Sequence, residues 1–110
     1  MLYDGALQFM EAGKAAMLRK DLSEQSNNLQ RAQKIVTHLM STLDMEKGGE
    51  VSRNLMPLYQ YVFRKLVEAN VGDKVPPIDE CMTIFGELRE GWSKLDQQVP
   101  QARQVELLAA

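Results

Sequence analysis

Apolar residues in this chain recur at steps of three and four, the period of a helix face. Between Val51 and Ala69 two such stripes run side by side. One comprises Val51, Leu55, Leu58, Val62, Leu66 and Ala69, the other Met56, Tyr59, Phe63 and Val67. Their combined width exceeds the ~100° of a helix docked on a single core. One stripe suffices for the core of a small bundle. The second either packs in a deeper core or receives a partner.

Three further helices follow from the same pattern. The first is predicted from about Met1 to Arg19, with Leu2, Ala6, Phe9, Met10, Ala16 and Met17 near one face and Gly13 among them. Gly5 and Gly13 each cost about 1 kcal/mol in a helix interior. A closely approaching neighbour offsets that cost. Asp21-Leu22-Ser23-Glu24 has capping-box spacing and opens a second helix, from about Leu22 to Leu43. Its seam is Leu22, Leu29, Val36 and Leu43 with Ala32 and Leu39 between, widened by Ile35 and Met40. Such heptads suit nearly antiparallel packing.

Gly48-Gly49 reads as a tight reversal that needs positive φ. The third helix then runs from near Glu50 or Val51 to near Asn70. Pro57 lies inside it and leaves the Arg53 carbonyl without a helical donor, which predicts a kink or a later main start. The fourth helix is predicted from about Pro77 to Gln98, with Ile78, Phe85, Trp92 and Val99 interleaved with Cys81, Leu88 and Leu95. Pro100 ends it, and Gln101 to Ala110 read as a short terminal helix or frayed tail.

These elements predict an all-α fold, an antiparallel up-down four-helix bundle. It forms a single domain over residues 1–110, ordered to about residue 99. The expected core comprises Leu29, Val36, Leu39, Leu55, Val62, Leu66, Phe85, Leu88 and Leu95. The first helix begins at Met1 without an N-cap, so either the start is unusual or upstream residues are missing.

Composition narrows the function classes. With 45% hydrophobic and 25% charged residues the chain reads as globular rather than disordered. Thirteen basic and fifteen acidic residues are interspersed, for a net charge of −2, so neither a nucleic acid nor an anionic membrane surface is an expected partner. No apolar run is long enough for membrane insertion. Cys81 is the sole cysteine, which excludes an internal disulfide and fits a reducing cytoplasm. Its neighbours Met82, Ile84 and Phe85 mark it as an apolar filler.

The chain offers little chemistry. His38 is the only histidine, and Ile35 stands where a bundle metal site places its glutamate. A phosphotransfer histidine would sit among basic and small residues, whereas Leu39-Met40 follow His38. Asp44 and Glu46 share a loop, and Ser41 has no base partner in the pattern. Gly48-Gly49 follows no strand and precedes no Lys-Ser/Thr, so it is no phosphate cradle. A non-enzyme is expected, with no catalytic residues, no cofactor and no metal. Met40, Met45 and Met56 instead gather around the connection between the second and third helices. Soft thioether surfaces suit a groove for a helical partner. The candidate groove has Met56, Tyr59, Phe63 and Val67 as its floor and Ile35, Met40 and Met45 as its walls.

Several runs of the chain carry a resemblance. Leu2-Tyr3-Asp4-Gly5-Ala6-Leu7 and the decapeptide from Ser41 to Glu50, with Leu43-Asp44-Met45-Glu46-Lys47-Gly48-Gly49 inside it, are the most specific. Asn54-Leu55, Leu58-Tyr59, Tyr61, Arg64-Lys65-Leu66, Glu68-Ala69-Asn70 and Leu88-Arg89-Glu90-Gly91-Trp92 add to them. Together, from Leu2 to about Lys94, they resemble the flagellar secretion chaperone FliS family. The resemblance implies a cytoplasmic helical bundle that binds the C-terminal segment of flagellin, disordered before assembly. It implies that binding prevents premature polymerisation and that the complex reaches an export gate component. Family members usually carry an upstream segment able to cover the groove, and this chain, which begins at Met1, is expected to lack it or to have a different native start. Pro57 departs from the family pattern. An alternative of another class is a structural or adaptor bundle that homodimerises through its second apolar stripe. Self-association through that stripe is expected when flagellin is absent.

Overall fold

The computed structural model describes residues 2–98, with side chains as far as Gly91. Four helices follow in chain order: α1 Leu2–Leu18, α2 Leu22–Ser41, α3 Gly49–Gly72 and α4 Val75–Gln98. Each neighbour in sequence packs beside the last, and α4 closes against α1. The result is the expected antiparallel up-down four-helix bundle. The stretch from 99 to 110, including the expected tail, lies outside the described residues.

Local chemistry sets the helix ends. The Asp21 carboxylate accepts from the Glu24 amide at 3.1 Å and caps α2. The other end of α2 stops at Ser41, two residues short of the expected Leu43. There the Ser41 hydroxyl donates to the His38 carbonyl at 2.6 Å and the Thr42 hydroxyl to the Leu39 carbonyl at 2.7 Å. Hydroxyls that take up terminal carbonyls compete with further helix. The α2–α3 connection is then organised by Asp44, whose carboxylate accepts from the amides of Glu46 and Lys47. Gly49 adopts φ 57°, the left-handed value its sequence position predicts.

Helix α3 continues through Pro57 without interruption. Pro57 and Arg53 are both on the exposed side, where water can serve the orphaned Arg53 carbonyl. The helix also runs past Asn70 to Gly72, closed by Asp73 in a left-handed conformation. Pro76 and Pro77 fall in the first turn of α4, which begins at Val75.

The core contains Leu29, Val36, Leu39, Val62, Leu66 and Phe85 from the expected set, joined by Tyr3, Met10, Tyr59, Ile78 and Cys81. Leu55 and Leu88 are half-buried against it. The side chains of Trp92 and Leu95, and all of Val99, lie outside the described residues. Gly13 permits the closest helix approach: a Cβ there would lie 2.6 Å from Leu29 Cδ2. A larger residue at this point would force α1 and α2 apart, and their pairing is the most extensive in the bundle.

The two stripes expected on α3 divide differently. Tyr59, Val62, Leu66 and Ala69 form the buried seam, while Leu58 is only half-buried. The reason is polar. Tyr59 shares a 2.5 Å hydroxyl–hydroxyl hydrogen bond with Tyr3, and both rings meet Phe85 edge to face. A buried phenol needs such a partner, and the bundle supplies it from α1.

A candidate partner groove between α2 and α3

With Tyr59 turned inward, the outward apolar face of α3 is carried by Phe63, Val67 and Val71. They succeed one another every four residues and so line up along the helix. Phe63 is half-buried, Val67 is 38% exposed and Val71 is 81% exposed. Across from them α2 presents Gln30, Gln33, Lys34 and Thr37, and Asn70 completes an open groove of about 520 Å³. A second stretch is lined by Met40, Gln60, Phe63 and Arg64. The two stretches meet at Phe63, one on either side of its ring along the α2–α3 seam. From Gln60 to Val71 the α3 wall extends for about 16 Å at 1.5 Å per residue, roughly three helical turns.

Both walls follow helical arithmetic. On α3 they are positions 60, 63, 64, 67, 70 and 71, and on α2 positions 30, 33, 34, 37 and 40. One end of the channel is tied by Gln25, which is 1% exposed. Its amide donates to the Asp73 carboxylate at 2.9 Å and to the Asn70 side-chain oxygen at 3.2 Å. This contact fixes the first turn of α2 against the last turn of α3 and orients Asn70 at the groove. The Gln25 Oε1 atom is buried with no partner among the described residues.

Of the seven residues expected to form the groove, Met40, Phe63 and Val67 line it. Tyr59 is in the core, 2% exposed. Ile35 is half-buried on the α1 side of α2, its Cδ1 3.3 Å from where a Cβ on Gly5 would stand. Met45 is 41% exposed in the α2–α3 connection, and Met56 is half-buried on α3 one turn before Gln60, outside the two lined stretches. The sequence pattern missed Val71, because α3 was expected to end before it. It also passed over the polar wall residues, although their spacing of three and four was present.

Among the described residues no three of His, Cys, Asp and Glu come together as a metal site. His38 is exposed on α2. The Cys81 thiol is buried and donates to the Val62 carbonyl at 3.5 Å. Burial pushes it up from 9.0 to about 12, with the Glu80 charge adding to the rise. A thiol so raised stays protonated and unreactive at neutral pH. Among the described residues no helix is long and apolar enough to cross a membrane.

The four helices thus define an all-α bundle with an open, partly apolar groove along one helix pair. The chain belongs to the flagellar protein FliS family, whose family model matches residues 1–99. It is 34% identical over 92 residues to the flagellar secretion chaperone FliSB of Pseudomonas aeruginosa, covering 84% of this chain and 73% of that one. It is 34% identical over 95 residues to the flagellar secretion chaperone FliS of Campylobacter jejuni, covering 86% of this chain and 74% of the other. The corresponding protein of Vibrio cholerae is 30% identical over 95 residues, covering 86% and 70%. This is a family of flagellar export chaperones rather than of enzymes.

Proposed function

We propose that the protein is a cytoplasmic chaperone for flagellin and that the α2–α3 groove receives the C-terminal segment of flagellin as an amphipathic helix. The line Phe63–Val67–Val71 carries this reading. It is an apolar helix face left open on a bundle whose core is already closed. Met40 extends the line toward the α2–α3 connection and supplies an adaptable thioether. A groove of this kind suits helix-in-groove recognition, in which apolar anchors at steps of three and four enter from the partner. Holding an aggregation-prone segment there would prevent premature polymerisation. A disordered segment that folds on binding releases readily enough to be handed to an export gate component.

The test is a calorimetric titration of the full chain with the C-terminal segment of flagellin. One-to-one binding is expected. Val67→Asp, at an exposed position, should leave the melting temperature near that of the parent and weaken binding at least about tenfold, because it sets a carboxylate against the partner's apolar stripe. Unchanged affinity in Val67→Asp would defeat the groove assignment. A stable homodimer that ignores the flagellin segment, seen by sedimentation, would favour the adaptor reading instead.

A further inference from the structure

The α2–α3 groove is charged in one sense only. Lys34 stands on the α2 wall and Arg64 on the α3 wall, and no aspartate or glutamate lines either stretch. That bias runs against the whole chain, where fifteen acidic residues outnumber thirteen basic ones. Among the described residues neither Lys34 nor Arg64 forms an ion pair. The Arg64 guanidinium carbon lies 5.9 Å from the Tyr61 ring centre, a cation–π contact that takes up none of its N–H donors. Glu68, one turn along α3, is engaged by Lys65 at 3.2 Å. The other polar lining residues, Gln30, Gln33, Thr37, Gln60 and Asn70, are neutral.

We propose that the segment seated in this groove is an amphipathic helix of about three turns whose apolar stripe is flanked on both sides by carboxylates, one flank facing Lys34 and the other Arg64. The proposal rests on the reading that the groove is the flagellin-binding surface, and it adds the chemistry of the occupant. The apolar line of Phe63, Val67 and Val71 takes the stripe. Because the cations stand on opposite walls, a helix lying between them offers one flank to each. Rim charges of this kind choose partner and orientation more than they add affinity. A lysine-flanked helix with the same stripe would meet like charge on both walls.

Two synthetic helical peptides test this. They share one apolar stripe and differ only in glutamate or lysine at the flanking positions. Each is titrated into the full chain at low and high salt. The glutamate-flanked peptide should bind about tenfold more tightly at low salt, and the gap should close near 1 M salt, where charges are screened within about 3 Å. The exposed double variant Lys34→Glu/Arg64→Glu should invert the preference without altering the melting temperature. Equal binding of both peptides, with both lost in Val67→Asp, overturns the charge proposal and leaves the groove reading standing. A glutamate preference untouched by charge reversal, or no binding of either peptide, also overturns it. Binding of both that survives Val67→Asp overturns the groove reading and this proposal together.

Discussion

Tyr59 and Phe63 stand one turn apart on α3, and a single oxygen separates their fates. The Tyr59 hydroxyl bonds that of Tyr3, and its ring rests edge-on against Phe85 at 6.1 Å. Phe63 has no such anchor and remains half-buried at the groove. Periodicity places the two on adjacent faces but does not say which face meets α1 and α4. That choice depends on Tyr3, fifty-six residues away in sequence. Cys81 gives a residue-scale prediction. Its buried thiol is raised from 9.0 to about 12, so above pH 9 the unfolded chain releases a proton that the folded chain retains. Stability is therefore full below pH 9 and falls as pH rises toward 12, by up to about 1.4 kcal/mol per pH unit. Tyr59 acts in the same sense, raised by burial and then by its bond to Tyr3. Urea midpoints measured from pH 8 to 11 should decline for the parent and decline less steeply for Cys81→Ala. Parallel slopes for the two proteins would show that the thiol ionises equally well in both states.

At the scale of elements, the α2–α3 connection is held by backbone proximity. The Gly48 amide donates to the Asp44 carbonyl at 2.6 Å, and a Cβ on Gly48 would lie 2.4 Å from that oxygen and 1.7 Å from Ser52 Oγ. The Ser52 hydroxyl can rotate away, but the Asp44 carbonyl belongs to a turn fixed by its own side chain. Gly48→Ala should therefore cost about 1–3 kcal/mol, the range for overpacking at a site that cannot give way. Urea denaturation is the measure, and a loss below about 0.5 kcal/mol, ordinary for a surface change, would show the turn to be adaptable. Helix periodicity, the Asp21 cap and the paired glycines were legible in the sequence because each is a local rule. Helix ends were less so. Ser41 and Thr42 shorten α2, and Asp73 lets α3 run to Gly72, through hydroxyl bonds and a left-handed residue that composition does not specify. Because α3 runs on, Val71 stands on the groove line, and a helix ending at Asn70 would have left it out.

For the whole molecule, the runs that mark the family and the residues that line the groove overlap little. Tyr3, Tyr59 and the turn from Asp44 to Gly49 hold the bundle together. Among the groove residues only Arg64 and Asn70 fall in those runs, while Gln33, Lys34, Val67 and Val71 are ordinary surface residues whose role comes from position. The fold was therefore readable from pattern, and the groove only in outline, since it exists where two helices leave a channel. Surface ion pairs such as Lys14–Asp79 and Arg89–Asp4 link α1 to α4 on the far side of the bundle and leave the α2–α3 channel open. The central claim is that this channel, along Phe63, Val67 and Val71, receives the flagellin segment. Methyl NMR of the full chain during titration with the flagellin C-terminal segment tests it most directly. The methyl signals of Met40, Val67 and Val71 should shift together and saturate at one equivalent, while those of the exposed Leu18 and Leu22 stay in place. Saturable binding that moves Leu18 and Leu22 and leaves Val67 and Val71 unchanged would contradict the account.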